Sequence, residues 1–120
     1  MKIAVASDGY TLDSNASPIL GKSSAFIIVD LENNGIKNIS TLENPAKKET
    51  GSGSTAADFI ANQGIEILIS GKFGNVAFRI LKNANIKIYK FTSGTIENNI
   101  KQLNKSKLEE ITSVSGGFPE

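Results

Sequence analysis

The chain has 120 residues, 13 basic and 12 acidic side chains, and a formal net charge of +1. It contains no histidine and no cysteine. Those absences exclude disulfides, thiolate nucleophiles, Ser-His-Asp and Cys-His catalytic pairs, and tetrahedral Cys/His zinc sites.

The length predicts one domain over residues 1–112, followed by a loose, Gly-rich tail over 113–120. The near-neutral charge gives no bulk attraction to nucleic acid or to an anionic membrane. No apolar run approaches the ~20 residues of a membrane span. The first residues read as a strand and not as a signal segment, so a cytoplasmic protein is expected.

Ile3-Ala4-Val5-Ala6 is a short apolar run closed by Ser7-Asp8-Gly9, the pattern of a buried strand ending in a turn. Residues 10–24 are small and polar, with Pro18 and Gly21, and read as a loop. Ala25 to Leu31 is a second strand. Asn33-Asn34-Gly35 is a hairpin turn signal leading to a third strand over Ile36–Leu42, which Asn44-Pro45 ends. After Gly51-Ser52-Gly53, a helix carries Ala56, Phe59 and Ile60 on one face, with Ser54 or Thr55 as its cap, and stops at Gly64. Ile65–Ser70 is a strand, and Asn75 is the expected cap of a second helix with Ala77, Ile80, Leu81 and Ala84 on its inner face. Ile86–Phe91 is a fifth strand, and a third helix buries Ile96, Ile100 and Leu103. The order β-β-β-α-β-α-β-α predicts an α/β fold whose mixed sheet is parallel apart from the reversed hairpin strand.

Three Gly/Ser-rich loops open helices: Gly51–Thr55, Gly71–Asn75 and Thr92–Thr95. The first N–H groups of a helix lack intrahelical partners, and the helix dipole places positive potential there. Glycine lets an anion approach such backbone. The plainer reading is that every helix needs a cap and these residues supply it. Neither the first loop nor the second is a Walker A or dinucleotide motif. Lys72 would add a mobile positive charge. Phe73, between glycines, is read as lying outside the deep core, as a lid over a ligand or an anchor for a partner. Arg79 either forms a surface ion pair with Asp58 or Glu66 or turns towards the loops to clamp an anion. Asp8 either fixes the long loop by accepting backbone N–H bonds or serves a bound species as a hydrogen-bond acceptor or hard-metal ligand. Asp30 is expected at the far end of the sheet. Asp8 and Asp58 make too few carboxylates for two-metal phosphodiester hydrolysis.

Met1–Gly9, Leu12-Asp13, Ser17-Pro18, Gly21, Phe26–Asp30, Glu43-Asn44-Pro45, Ser70–Phe78 and Ile86–Tyr89 together resemble the dinitrogenase iron–molybdenum cofactor biosynthesis family, the small proteins related to NifX, NafY and the C-terminal part of NifB. The resemblance implies a three-layer α/β/α ribonuclease H-like fold with three helices. Its five-stranded mixed sheet would run 3-2-1-4-5 with strand 2 antiparallel. It implies a ligand cleft between the ends of strands 1 and 4, framed by Ser7, Asp8, Gly9 and the Gly71–Asn75 loop. Relatives are carriers or scaffolds for an iron–sulfur or iron–molybdenum cluster or its precursor, not catalysts. This chain departs from the pattern, since it lacks the histidine and cysteine that would ligate such a cluster. The expectation narrows to outer-sphere binding of an anionic cluster or small anion, through Ser7, Asp8, Gly9, Ser52, Gly53, Ser54, Thr55, Gly71, Lys72, Phe73, Gly74 and Asn75. The rival expectation is a ligand-free module that regulates or assembles a protein partner through a sheet edge or the Phe73 loop. A third is a metal-dependent ribonuclease H-like hydrolase.

Overall fold

Buried apolar residues alternate across one sheet so that its central strands feed two cores. The computed structural model describes residues 1–33, 35–48 and 52–113. The Gly-rich tail expected at the end of the chain lies outside the described residues from position 114 onward, as does Asn34 of the hairpin turn signal. The strands are β1 (Lys2–Ser7), β2 (Ala25–Glu32), β3 (Gly35–Glu43), β4 (Ile67–Ser70) and β5 (Lys87–Lys90). The helices are α1 (Gly53–Ala61), α2 (Asn75–Asn83) and α3 (Ile96–Asn104), with 3-10 turns at Leu20–Lys22 and Pro45–Lys48. The sheet order is β3-β2-β1-β4-β5. β2 runs antiparallel to both β1 and β3, while β1, β4 and β5 are parallel. This is the order and orientation that the family resemblance implied.

Side chains two apart share a face of a strand. Ala4, Ala6, Phe26, Ile28, Leu68 and Ile88 therefore face α1 and α2. Ile3, Val5, Ile27, Val29, Ile67 and Ile69 face α3. The first face is lined by small residues from both sides: Ala4 and Ala6 of β1, Ala56 and Ala57 of α1, and Ala77 of α2, all buried. Small side chains let two helices lie close together over one strand, and Phe26 stacks against Phe59 across that layer, with ring centroids 6.1 Å apart. Each fully buried Ile or Leu in these cores contributes about 1.5–3 kcal/mol.

Residues 10–24 are more ordered than a loop. Ala16 pairs with Ser7, Asn15 with Thr95 and Ile19 with Lys72, and Ala16, Ser17 and Leu20 are buried. The helix caps also differ from expectation by a few residues. Ser52, not Ser54 or Thr55, caps α1, since its extended backbone lets Oγ accept from the Thr55 N–H at 3.3 Å. Gly74 precedes α2 and Asn75 is already its first residue, so Asn75 is not the cap.

Two helices end in the same way. Ile86 N–H donates to the Leu81 carbonyl and Asn85 N–H to Lys82, with Asn85 at φ 60°. Lys107 N–H donates to Gln102 and Ser106 N–H to Leu103, with Ser106 at φ 58°. Both are Schellman closures, whose left-handed residue is normally glycine. Ser106 is exposed, so Ser106→Gly is expected to stabilise the fold by about 0.5–1 kcal/mol. Urea unfolding checks this through a higher midpoint at unchanged slope.

Candidate functional site

The carboxyl ends of β1, β4 and β5 lie at one edge of the sheet, and α1 and α2 both begin there. In open α/β sheets, ligands bind at this edge where the strand order reverses, here between β1 and β4. The chain itself bridges that crevice. Ser17 N–H donates to the Ala6 carbonyl at the end of β1 (2.9 Å). Lys72 N–H, just past β4, donates to Pro18 (2.7 Å), and Leu20 N–H returns to the Lys72 carbonyl (3.0 Å). The cleft that the resemblance implied between β1 and β4 is thus occupied by residues 17–20.

Ser7, Asp8 and Gly9 are committed to this closure. Ser7 is fully buried, and its Oγ donates to the Gly9 carbonyl (2.9 Å) and accepts from the Gly9 N–H (3.1 Å). Asp8 N–H goes to Asn15 (2.9 Å). The turn is therefore held by the Ser7 hydroxyl. The Asp8 carboxylate is exposed and accepts no hydrogen bond from the described residues, so it does not fix the loop.

Gly71 is explained by the same segment. A Cβ there would lie 2.2 Å from the Pro18 carbonyl oxygen. Glycine is present because two backbones cross, and no ligand need be invoked. The pairing of Lys72 with Ile19 extends the strand alternation past β4, so Gly71 and Phe73 turn inward and Lys72 outward. Phe73 is consequently a core residue, 6% exposed and stacked on Phe78 with centroids 6.5 Å apart. The expectation of a lid or partner anchor at Phe73 is corrected by that alternation, which the flanking glycines concealed.

The three helix N-termini differ. At α3 every early donor is satisfied by protein: Ile96 N–H by Ser14 (2.8 Å), Glu97 N–H by Leu12 (3.0 Å), Asn98 N–H by Thr95 Oγ1 (3.1 Å) and Asn99 N–H by the Thr95 carbonyl (3.0 Å). The first turn of α3 therefore has no N–H left to offer an anion. At α1 the Ser52 Oγ reaches Thr55 N–H and lies 2.9 Å from Ser54 Oγ, while the Gly53 and Ser54 N–H groups meet no acceptor among the described residues. At α2, Gly74 provides no side-chain cap, and the Asn75 and Val76 N–H groups likewise meet none among the described residues. The first turns of these two helices touch: a Cβ on Gly53 would stand 3.9 Å from Phe73 Cβ and 4.0 Å from Ala77 Cβ. Gly74, Asn75, Val76 and the Lys72 side chain are exposed beside them. Gly51 lies outside the described residues.

The remaining charged candidates stand apart. Arg79 is exposed and forms no ion pair with Asp58 or Glu66. Asp30 sits at the opposite end of the sheet, as its strand direction required, 3.2 Å from the terminal amine of Met1. Among the described residues no three acidic side chains gather in a way that could hold a metal ion, and no helix is long and apolar enough to cross a membrane. The residue that sequence reasoning missed is Asn44, buried at the mouth of the 20–24 segment. Its amide donates to the Gly21 (3.1 Å) and Ser23 (3.0 Å) carbonyls, and its Oδ1 accepts from Ala46 N–H (3.0 Å). Asn-Pro is a turn initiator whose side chain bonds two residues on, so the signal was present at Asn44-Pro45.

A layered α/β protein with two adjacent helix N-termini at the carboxyl edge of its sheet, their leading N–H groups meeting no acceptor among the described residues, has the general layout of open α/β proteins, in which that edge is where ligands bind. The chain belongs to the dinitrogenase iron-molybdenum cofactor family, whose model matches residues 1–106. It is 37% identical over 112 residues to an uncharacterized protein of Methanocaldococcus jannaschii, covering 92% of each chain. It is similar in structure to the apo form of the orange protein from Desulfovibrio gigas, with a TM-score of 0.83, 25% identity and 93% of both chains covered. A Thermotoga protein described as a NifB protein matches with a TM-score of 0.80 and 31% identity, over 99% of this chain and 97% of that one.

Proposed function

We propose that the protein is a non-catalytic carrier in the handling of the family's cofactor, holding an anionic metallocluster or a small anion by its outer sphere. The cargo rests on the N–H groups of Gly53, Ser54, Asn75 and Val76, with the Lys72 ammonium beside it. The supporting observation is the contact between the first turns of α1 and α2, with their leading N–H groups unengaged by the described residues, while the same groups of α3 are closed by residues 12 and 14. Two helix dipoles, each equivalent to about half a charge, then act on one anion. Outer-sphere binding is favoured by the donor set: with no histidine or cysteine in the chain, neither a thiolate nor an imidazole is available to ligate iron. The same absence leaves no thiolate and no imidazole base, which favours carriage over catalysis.

Inorganic phosphate is the simplest probe. Its addition is expected to move the amide NMR signals of Gly53, Ser54, Asn75 and Val76, leaving Ile96 and Glu97 still. Lys72→Ala should weaken the response about three- to tenfold. Unmoved signals at millimolar phosphate would exclude the anion site. Iron or molybdenum co-purifying under anaerobic conditions, with charge-transfer absorption, would identify the cargo as a cluster.

A further inference from the structure

The two edges of the sheet are treated differently. At β5 the chain folds back along its own edge: Tyr89 pairs with Glu110, Lys90 N–H donates to Glu109 (2.8 Å) and Ile111 N–H to Ile88 (2.7 Å). At the other edge, β3 is the longest strand, with nine residues, and among the described residues it pairs only with β2. Eight of its residues are exposed and Leu42 is half-buried. An edge strand presents a row of unpaired N–H and C=O groups, and proteins usually blunt it with charge, proline or a bulge. The β3 bulge lies at the hairpin end, at Lys37, which falls between the Asp30–Asn38 and Leu31–Ile36 pairs. From Asn38 to Leu42 the strand has neither a charge nor a proline, and Ile39 stands 50% exposed in its centre.

We infer that β3 pairs antiparallel with β3 of a second copy of this chain, joining two sheets into one. Residues facing each other across an antiparallel pair must belong to the same hydrogen-bonding class, so a two-fold axis passes through a residue pair. Centred on Ser40, the pairing sets Ile39 against Thr41 of the other copy and brings Lys37, the bulge residue just past the regular stretch, beside Glu43, and symmetry repeats both contacts. Opposite charges facing across a strand pair stabilise it, whereas like charges destabilise it. Glu43 has no ion pair among the described residues, and Lys37 has only the exposed Glu32, 3.1 Å away. The strand thus carries its own complementary charges at the two ends of an uncharged stretch. Strand-to-strand contact buries less than the ~1,600 Å² of a standard interface, so the dimer forms at high micromolar concentration and is reversible.

Sedimentation velocity across a concentration series tests this. The wild-type chain should shift from monomer to dimer between about 10 μM and about 1 mM. Lys37→Glu and Glu43→Lys, each alone, set like charges together at both ends and should weaken association at least about tenfold. An equal mixture of the two variants brings opposite charges face to face again at both ends and should restore the wild-type dimer, a recovery that a merely sticky surface would not give. Ile39→Lys, at a half-exposed position that the fold tolerates, should remain monomeric alone and in mixtures. A wild-type chain that stays monomeric at about 1 mM overturns the inference. So do single variants that associate like wild type, or a mixture that fails to recover.

Discussion

Gly71→Ala is expected to destabilise the protein by about 3 kcal/mol or more, lowering its melting temperature by roughly 10–15 °C. The added methyl would stand 2.2 Å from the Pro18 carbonyl oxygen, 2.3 Å from its carbon and 2.7 Å from its Cα. These are backbone atoms, so no rotamer change relieves the clash. Segment 17–20 would have to move outward, breaking the Lys72–Pro18 and Leu20–Lys72 hydrogen bonds and unseating the fully buried Leu20. Two nearby glycines calibrate the effect. At Gly9 the obstacles are Ser14 Oγ, 2.3 Å away at the end of a side chain that can rotate, and Ser14 Cβ at 2.9 Å, which moves only with its backbone. At Gly74 nothing lies within 4 Å. Gly74→Ala should therefore cost no more than about 1 kcal/mol, and Gly9→Ala about 1–2 kcal/mol, since only a small shift of the half-buried Ser14 is needed. Thermal melts of the three variants check the order. A Gly71→Ala protein melting with the other two would show that residues 17–20 do not hold the crevice closed.

Asn44→Ala is expected to cost about 3 kcal/mol. Asn44 is 4% exposed, and its amide group serves the carbonyls of Gly21 and Ser23, with Leu20 further off at 3.4 Å. Its carbonyl serves the Ala46 N–H. Truncation leaves several buried backbone groups without partners, each costing about 1–3 kcal/mol unless water enters. Asn44→Asp keeps the size but replaces a donor with an acceptor facing carbonyl oxygens, so it should be at least as damaging. Chemical denaturation gives both values. Amide exchange should rise first at Ser23 and Ser24, because Ser24 N–H closes on Ser7 (2.9 Å) and Asn44 N–H on the Ser24 carbonyl (3.2 Å). An Asn44→Asp protein as stable as wild type would show that the amide donor is dispensable.

Much of the fold was legible because it depends on short-range patterns. β2 and β3 were marked by β-branched runs around an Asn-Gly turn signal, and the inner faces of the three helices by spacing alone. The strand order came from the family resemblance, since periodicity identifies strands without saying which ones pair. Cap positions slipped by one to three residues, because Ser52, Ser54 and Thr55 are all competent caps and only the backbone at Ser52 decides among them. Phe73 was misplaced for a related reason. Its glycine neighbours suggest a surface turn, but the pairing of Lys72 with Ile19, 53 positions earlier in the chain, carries strand alternation through the turn and sends the ring inward.

The candidate site divides along the same line. Composition alone determined that no histidine or cysteine can ligate a metal here, and local pattern determined that Gly/Ser-rich turns open the helices. Which of those turns the described residues close was decided only by tertiary structure. The residues that close α3 lie more than 80 positions away, at Leu12 and Ser14, and those that fill the β1–β4 crevice are residues 17–20, read from sequence as an ordinary loop. A backbone donor's availability depends on what the rest of the chain places in front of it. That is a long-range property, absent from the local patterns that build helices and strands.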